Sequence, residues 1–275
     1  MDVDLSAVRK MYGRRPAESH KGDFGNVLVV GGSMTYSGSP ALVAMAALRA
    51  GADLTLIAAP ERAADIAAGF SPDLITYPLG GDFLEERHLK VIMELLPEYD
   101  SIVIGNGLGL HPKTKRAVLK FLPALKIPCV VDADGVKMLK GKKLRPGFVL
   151  TPHAAEFCRL TGKVLRNGLR GKTEGVKKAA REMNCTILLK GHVDVISDGE
   201  RVAYNRTGNP CMTKGGTGDT LAGICGALLA RGGEPFEAAC AAAFVNGRAG
   251  DIAVKDFGEG LLATDILDAI PKVIK

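Results

Sequence analysis

The chain predicts an α/β fold, a mostly parallel central sheet covered by helices on both faces. Three observations predict it. Short, near-continuous apolar runs stop at glycine, proline or acidic residues, as strands buried on both faces do. Stretches with helical spacing separate these runs from end to end. The apolar fraction is 47%, yet aromatics are 5% and tryptophan is absent, so Ala, Val, Leu and Ile must pack the core, which suits α/β layers.

Taken in order, "NVLVVGG" (26–32) reads as a buried strand. Pro40 then suits an early helical position in "PALVAMAALRAGA". "DLTLIAAP" is the next strand, ended by Pro60, and "RAADIAAGF" a short helix. "DLITYPLGG" is a weaker strand. "LEERHLKVIMELLPEY" has the helical spacing of Leu, Val, Ile and Leu. "SIVIGNGLG" (101–109) is a strand ending in glycines, "PKTKRAVLKFLPAL" an amphipathic helix, and "IPCVVDADG" (127–135) a strand ending at acids. "GFVLTPHAAEFCRL" reads as strand, turn and helix, and "TEGVKKAAREMN" as helix. "CTILLKGHVDVIS" reads as a strand leading to a hairpin with "RVAYN". Residues 219–231, 235–250 and 263–275 close the chain as helices. No linker or repeat divides it, so one domain over residues 1–275 is expected.

Bulk properties exclude some functions. The net charge is +6, and no run of five basic residues marks a nucleic-acid arm, so no nucleic-acid partner is expected. The charge reads first as a solvated surface, and alternatively as a field that attracts anionic small molecules. Six cysteines, at 129, 158, 185, 211, 225 and 240, form no CxxC pair, which points to buried thiols in a reducing cytoplasm. The charged opening "MDVDLSAVRKMYGRRP" is unlike a signal peptide. The uncharged stretch 24–48 is broken by "GGSMTYSGSP" and is not a membrane span.

Ligands of such sheets lie beyond the carboxyl ends of the strands. There the sequence places Gly31-Gly32-Ser33, Gly105-Asn106-Gly107, Asp132-Ala133-Asp134, Thr151-Pro152-His153 and Lys190-Gly191-His192. The most specific loop is "GGTGDT", in which glycines let successive N–H groups form an anion nest at a helix N-terminus. Asp219 then either takes a proton from an attacking hydroxyl or only caps the helix. Asp132 and Asp134 reach solvent near phosphates or serve the turn. Asn205 and Asn209 read as turn residues.

Gly216-Thr217-Gly218-Asp219 resembles the GxGD signature of the ribokinase-like fold. "HKGDFGNVLVVGGSMTYSGSPALVAMAALRAGADL", "GNGLG", "DADGVKML", "LTPHAAEF", "LLKGHVDVI", "GNPCMTKGGTGDTLAG" and "AAFVNGRAGD" resemble the ADP/ATP-dependent NAD(P)H-hydrate dehydratase family over roughly residues 20 to 270.

The resemblance implies repair of hydrated NADH or NADPH (the S form), with ADP, or alternatively ATP, as phosphoryl donor; Mg2+ is expected because adenine nucleotide phosphates rarely transfer without it. The resemblance implies Asp219 as the catalytic base, with Gly216, Thr217 and Gly218 as the phosphate loop. Lys190, Gly191, His192, Val193, Asp194 and Gly218 would hold the adenine nucleotide. Ala41, Gly107, His153 and Asp219 would meet the hydrated dinucleotide. Glu156 would orient a magnesium-bound water or a basic partner. A homotetramer is implied; the epimerase domain often found N-terminal to this one is expected to be absent, since the sequence begins almost directly at the first strand, and no membrane partner is expected.

Two departures stand out. Asn106 replaces the proline of a common Gly-Pro-Gly, and Ala154-Ala155 fill the middle of a common His-Pro-Gly-Glu. The competing readings are a small-molecule kinase using the same loop and a nucleotide-binding module without turnover.

Overall fold

The computed structural model describes residues 1–275. Nine strands form one sheet: β1 (Asn26–Val30), β2 (Leu54–Pro60), β3 (Ile75–Leu79), β4 (Ser101–Ile104), β5 (Cys129–Val131), β6 (Phe148–Leu150), β7 (Thr186–Leu189), β8 (Asp194–Ser197) and β9 (Val202–Asn205). Their order is β3-β2-β1-β4-β5-β6-β7-β8-β9. Strands β1 to β7 pair in parallel, and β8 is antiparallel to both its neighbours. The chain runs outward from β1 to β3, then returns to the other side of β1 with β4. That reversal is a topological switch point, where the connections diverge and leave a crevice.

The helices are α1 (Leu5–Met11), α2 (Ser39–Arg49), α3 (Glu61–Ala68), α4 (Leu89–Leu95), α5 (Pro112–Phe121), α6 (Ala133–Lys137), α7 (Ala154–Thr161), α8 (Gly168–Met183), α9 (Thr217–Ala230), α10 (Pro235–Phe257) and α11 (Ala263–Ile274). Strand side chains alternate between two cores. Val27, Val29, Ile57 and Val103 join α1, α2, α3, α9, α10 and α11 in one. Leu28, Val30, Ile102 and Ile104 join α4 to α8 in the other.

The structure corrects the element reading in six places, the first being α6, which begins at Ala133 inside the stretch 127–135 read as strand. "CTILLKGHVDVIS" is two strands, because the chain folds back over Lys190–Val193. The helix expected from Leu84 is α4 alone, flanked by single 3-10 turns, with Pro97 in the second. α8 begins five residues before "TEGV", and α10 runs on to Phe257, where Gly258 takes φ 54°. α1 was not anticipated; Asp4 caps it by accepting from Ser6 N–H.

Candidate functional site

The strand ends lean on one another past the sheet. Gly105 N–H donates to Val30 O, Asp132 N–H to Ile104 O, Thr151 N–H to Val131 O, and Lys190 N–H to Pro152 O. This ladder brings the loops after β1, β4, β5, β6 and β7 to one edge, and the N-terminus of α9 descends onto them. A cavity of about 750 Å³ opens there, with Asp132, His153, Lys190, His192, Gly218 and Asp219 among its walls.

The loop before α9 is shaped by backbone geometry. Gly216 sits at φ 95° as the N-cap, a conformation that favours glycine. The Thr217 hydroxyl donates to Met212 O and Lys214 O at 2.9 and 3.1 Å, folding the preceding loop under the helix. Thr220 N–H bonds back to Gly216 O, so the N–H groups of Thr217, Gly218 and Asp219 have no carbonyl within the helix. They point, with the positive end of a 14-residue helix, toward where an anion would sit.

Asp219 is in the first turn of α9 and does not cap it, so the capping role is set aside. Its Oδ1 accepts from Asn106 Nδ2 at 2.6 Å. Burial, then the neighbouring Asp132 charge, raise its pKa to about 6, against the pull of Asn106, Ser39 and Lys190. A carboxylate so placed is ionised at neutral pH yet takes a proton readily.

Asp132 does not reach solvent as anticipated; it is 2% exposed. Thr151 Oγ1 and Lys190 Nζ donate to its Oδ1 at 2.7 and 2.9 Å, and Asn106 Nδ2 to its Oδ2 at 2.8 Å. Burial disfavours the Lys190 cation, but Asp132 outweighs this and the net shift is upward. Lys190 is thus a permanent charge directly beneath Gly218, whose Cα hydrogen faces its Nζ; a Cβ there would come within 3.2 Å. Asp134 instead ties its own turn to the loop after β4, accepting from Lys137 Nζ and Gly109 N–H.

The remaining candidates divide. Gly191, His192 and Asp194 line the cavity and Val193 does not. Asp194 builds the turn, accepting from Gly191 N–H and Asn205 Nδ2, both at 2.9 Å; burial raises its pKa. Asn205 keeps its turn role, accepting from Thr207 N–H and Oγ1, and is besides a buried tie that donates to Ala243 O of α10. Asn209 keeps its turn role, accepting from Cys211 N–H. His153 caps α7: its Nδ1 accepts from Ala155 and Glu156 N–H, and Glu156 Oε2 accepts from His153 N–H. The exposed ring leaves Nε2 free toward the cavity and 3.5 Å from Glu156. The basic partner of Glu156 is Lys137, at 3.7 Å.

Gly107 and Ala41 are not among the walls of the cavity. Gly107 (φ 71°) packs on Tyr36 and Ser39. Ala41, in the first turn of α2, is wholly buried, main chain included. Sequence reasoning placed Asn106 and Thr151 at ligand-facing strand ends but gave neither a role, and it left out Ser39, whose position at the start of α2 was the available signal.

A family model described as NAD(P)H-hydrate dehydratase matches residues 27–272. The bifunctional NAD(P)H-hydrate repair enzyme Nnr of Pyrobaculum aerophilum is 46% identical over 95% of this chain and 52% of its own length; the chain spans about half the length of the bifunctional relatives it matches. The ADP-dependent (S)-NAD(P)H-hydrate dehydratase of Cenarchaeum symbiosum is 40% identical over 98% of this chain and 94% of that one. The crystal structure of the ADP/ATP-dependent NAD(P)H-hydrate dehydratase of Bacillus subtilis, co-crystallised with ATP/Mg2+, superposes with a TM-score of 0.85 at 28% identity, covering 99% of this chain and 98% of that one. Fold, loop geometry and likeness agree: the chain belongs to the NAD(P)H-hydrate dehydratase family, on a ribokinase-like fold.

Proposed function

We propose that this chain removes water from the S form of hydrated NADH or NADPH, with ADP as the preferred phosphoryl donor and ATP as the alternative. The observation that carries the reading is Asp219, half-buried with a pKa of about 6, in the first turn of a helix whose free N–H groups face the same cavity. The nucleotide lies along Lys190–Asp194 with its transferring phosphoryl on the N–H groups of Gly216 to Asp219. Lys190, paired below with Asp132, steadies the phosphate charge. The hydrated ring lies on the Asp219 side, against Gly107, the first turn of α2 at Ala41, and His153.

Asp219 takes the proton of the C6 hydroxyl as its oxygen attacks the terminal phosphorus, and the nucleotide leaves with one phosphate fewer. The C6–O bond then breaks with its electrons on phosphate, pushed by the ring nitrogen lone pair. Loss of the C5 proton to the departing phosphate or to solvent restores the reduced ring.

Mg2+ is expected with the nucleotide. No three His, Cys, Asp or Glu side chains converge to hold a metal ion, so the protein offers no cage for it. Such ions are held through substrate phosphates and one or two carboxylates, and no step above runs through it. Glu156, engaged with His153 N–H and Lys137, fits the orienting role better than the ligand role. No helix is long and apolar enough to cross a membrane; a cytoplasmic homotetramer, with residues 1–275 as one catalytic domain, completes the proposal.

The test is return of the reduced nicotinamide absorbance on mixing protein, hydrated NADH, magnesium and either ADP or ATP. Turnover is expected, faster with ADP, with kcat/KM falling below about pH 6 as Asp219 protonates. Asp219→Asn should lower kcat by about 10²–10⁴-fold. Absence of turnover with both nucleotides, on folded protein that binds them, would refute the reading and favour a kinase acting on another alcohol.

A further inference from the structure

The loop after β4 carries an asparagine whose bonding is one-sided. Asn106 is 1% exposed. One amide hydrogen goes to Asp132 Oδ2 at 2.8 Å and the other to Asp219 Oδ1 at 2.6 Å. Its carbonyl Oδ1 is buried with no partner. Turning the amide over would set that oxygen against two carboxylates, so the orientation is fixed by charge. The surroundings want the two donors and leave the acceptor unpaired, an arrangement that costs stability.

The side chain is also not what holds its loop. Gly32 N–H donates to Asn106 O at 2.8 Å, Gly105 N–H to Val30 O, and Leu108 N–H to Gly105 O. These main-chain bonds pin the turn at the switch point whatever residue stands at 106. The side chain is therefore available for the site alone.

We propose that Asn106 is a positioning residue of the site, a single amide that fixes the Asp219 and Asp132 carboxylates against each other and holds the Oδ1 edge of Asp219, leaving Oδ2 to meet the reacting hydroxyl. The proposal rests on the dehydratase reading above for its reaction, and on the geometry alone for its bonds. Through Asp132 the same amide connects Asp219 to Lys190, beneath the phosphate loop, so base and phosphate site are set at one distance. The groups facing Asp219 are Asp132 from the end of β5, Lys190 from the end of β7 with Glu156 of α7 beyond it, and the Ser39 hydroxyl of α2. From α10 comes only the neutral Asn246, which bonds the adjacent Thr220 at 2.7 Å.

The experiment compares wild type with Asn106→Leu, which keeps the branched heavy-atom outline and removes both donors, and Asn106→Ser, which retains one smaller donor and serves if the leucine variant does not fold. Two readouts are taken from about pH 5 to about pH 9: kcat and KM, and the carbon-13 NMR titration of the Asp219 carboxyl, assigned with Asp219→Asn. The lost bonds favour the ionised carboxylate, so their removal lets Asp219 hold its proton to higher pH. Asn106→Leu should lower kcat about 100-fold, leave the nucleotide KM within about threefold, and move both the acid limb and the NMR titration upward by about one pH unit. Asn106→Ser should fall between. Loss of activity with the acid limb and the NMR titration unmoved, or loss confined to KM, would overturn the proposal and make Asn106 a loop residue. A wild type without turnover would instead refute the dehydratase reading, and the NMR titration would still decide whether Asn106 holds Asp219.

Discussion

The two faces of the sheet are built from different side chains. The face covered by α2, α3, α9, α10 and α11 is packed largely by alanine, with Ala41, Ala44, Ala46, Ala47, Ala222 and Ala227 fully buried. The face covered by α4 to α8 is packed by larger groups, among them Ile92, Phe121, Leu122, Leu139 and Leu160. Small residues let backbones approach closely. Large ones keep helices at ordinary distance and fill space with interlocking side chains. The helix bearing Asp219 belongs to the first kind. It lies so close to its neighbours that a Cβ on Gly223 would stand 2.1 Å from Val43 O, and one on Gly226 2.4 Å from Val103 Cγ2. That proximity places the first turn of α9 within bonding reach of the strand ends. The alanine face therefore sets the geometry of the site, while the other face supplies bulk stability.

The contrast breaks most sharply at Gly223. Glycine to alanine in a helix interior ordinarily gains up to about 1 kcal/mol. Here the added methyl meets a backbone carbonyl of α2, which cannot rotate away. Gly223→Ala should cost about 3 kcal/mol or more, read by denaturant unfolding. Because α9 must retreat from α2 to admit the methyl, kcat should fall at least about tenfold in the protein that folds. A stabilised and fully active Gly223→Ala would show that the close approach is incidental.

The second prediction sets the site against the stability of its own face. Asp219 has a folded pKa of about 6, above its ordinary value of 3.8. Its proton is held more tightly in the folded state, so ionising it opposes folding. The penalty is absent below about pH 4, grows as pH rises, and is complete above about pH 6, where it amounts to roughly 2 kcal/mol or more. Asp219→Asn cannot ionise. It should therefore be inactive yet more stable than wild type at pH 8, by about 5 °C in Tm, with the gain shrinking toward zero near pH 4. A variant less stable at pH 8 would mean that the bonds to Asn106 and Ser39 outweigh the burial of the charge.

Much of this was legible in the sequence. The parallel sheet followed from apolar runs with glycine or acidic ends, and the phosphate loop from "GGTGDT", because backbone chemistry of that kind is written locally. What escaped depends on neighbours distant in the chain. Asn106, Asp132, Lys190 and Asp219 meet only because four strand or helix ends converge, and no spacing announces that Asp132 is enclosed by three donors. The turn over Lys190–Val193 was half legible: Lys190-Gly191-His192 was placed at a strand end, yet the apolar run was read through it, although a polar Lys-Gly-His inside such a run is itself a turn signal. The first helix was missed because seven residues give too short a period, although Asp4 is a recognisable cap.

The smallest predicted effect sharpens the comparison from the opposite face. Ile92 of α4 is fully buried among large side chains. Ile92→Val removes one methylene, as Gly223→Ala adds one carbon. Neighbouring leucines can relax partly into the space, so the cost should be about 1 kcal/mol. α4 contributes no residue to the cavity beyond the strand ends, so kcat and nucleotide KM should equal those of wild type within error. If Ile92→Val lowered kcat as Gly223→Ala is expected to, the site would be sensitive to any change in packing, and the division of labour between the faces would fail. If it lowers Tm alone, one carbon on the alanine face governs chemistry, and one carbon on the leucine face governs only how firmly the sheet is held.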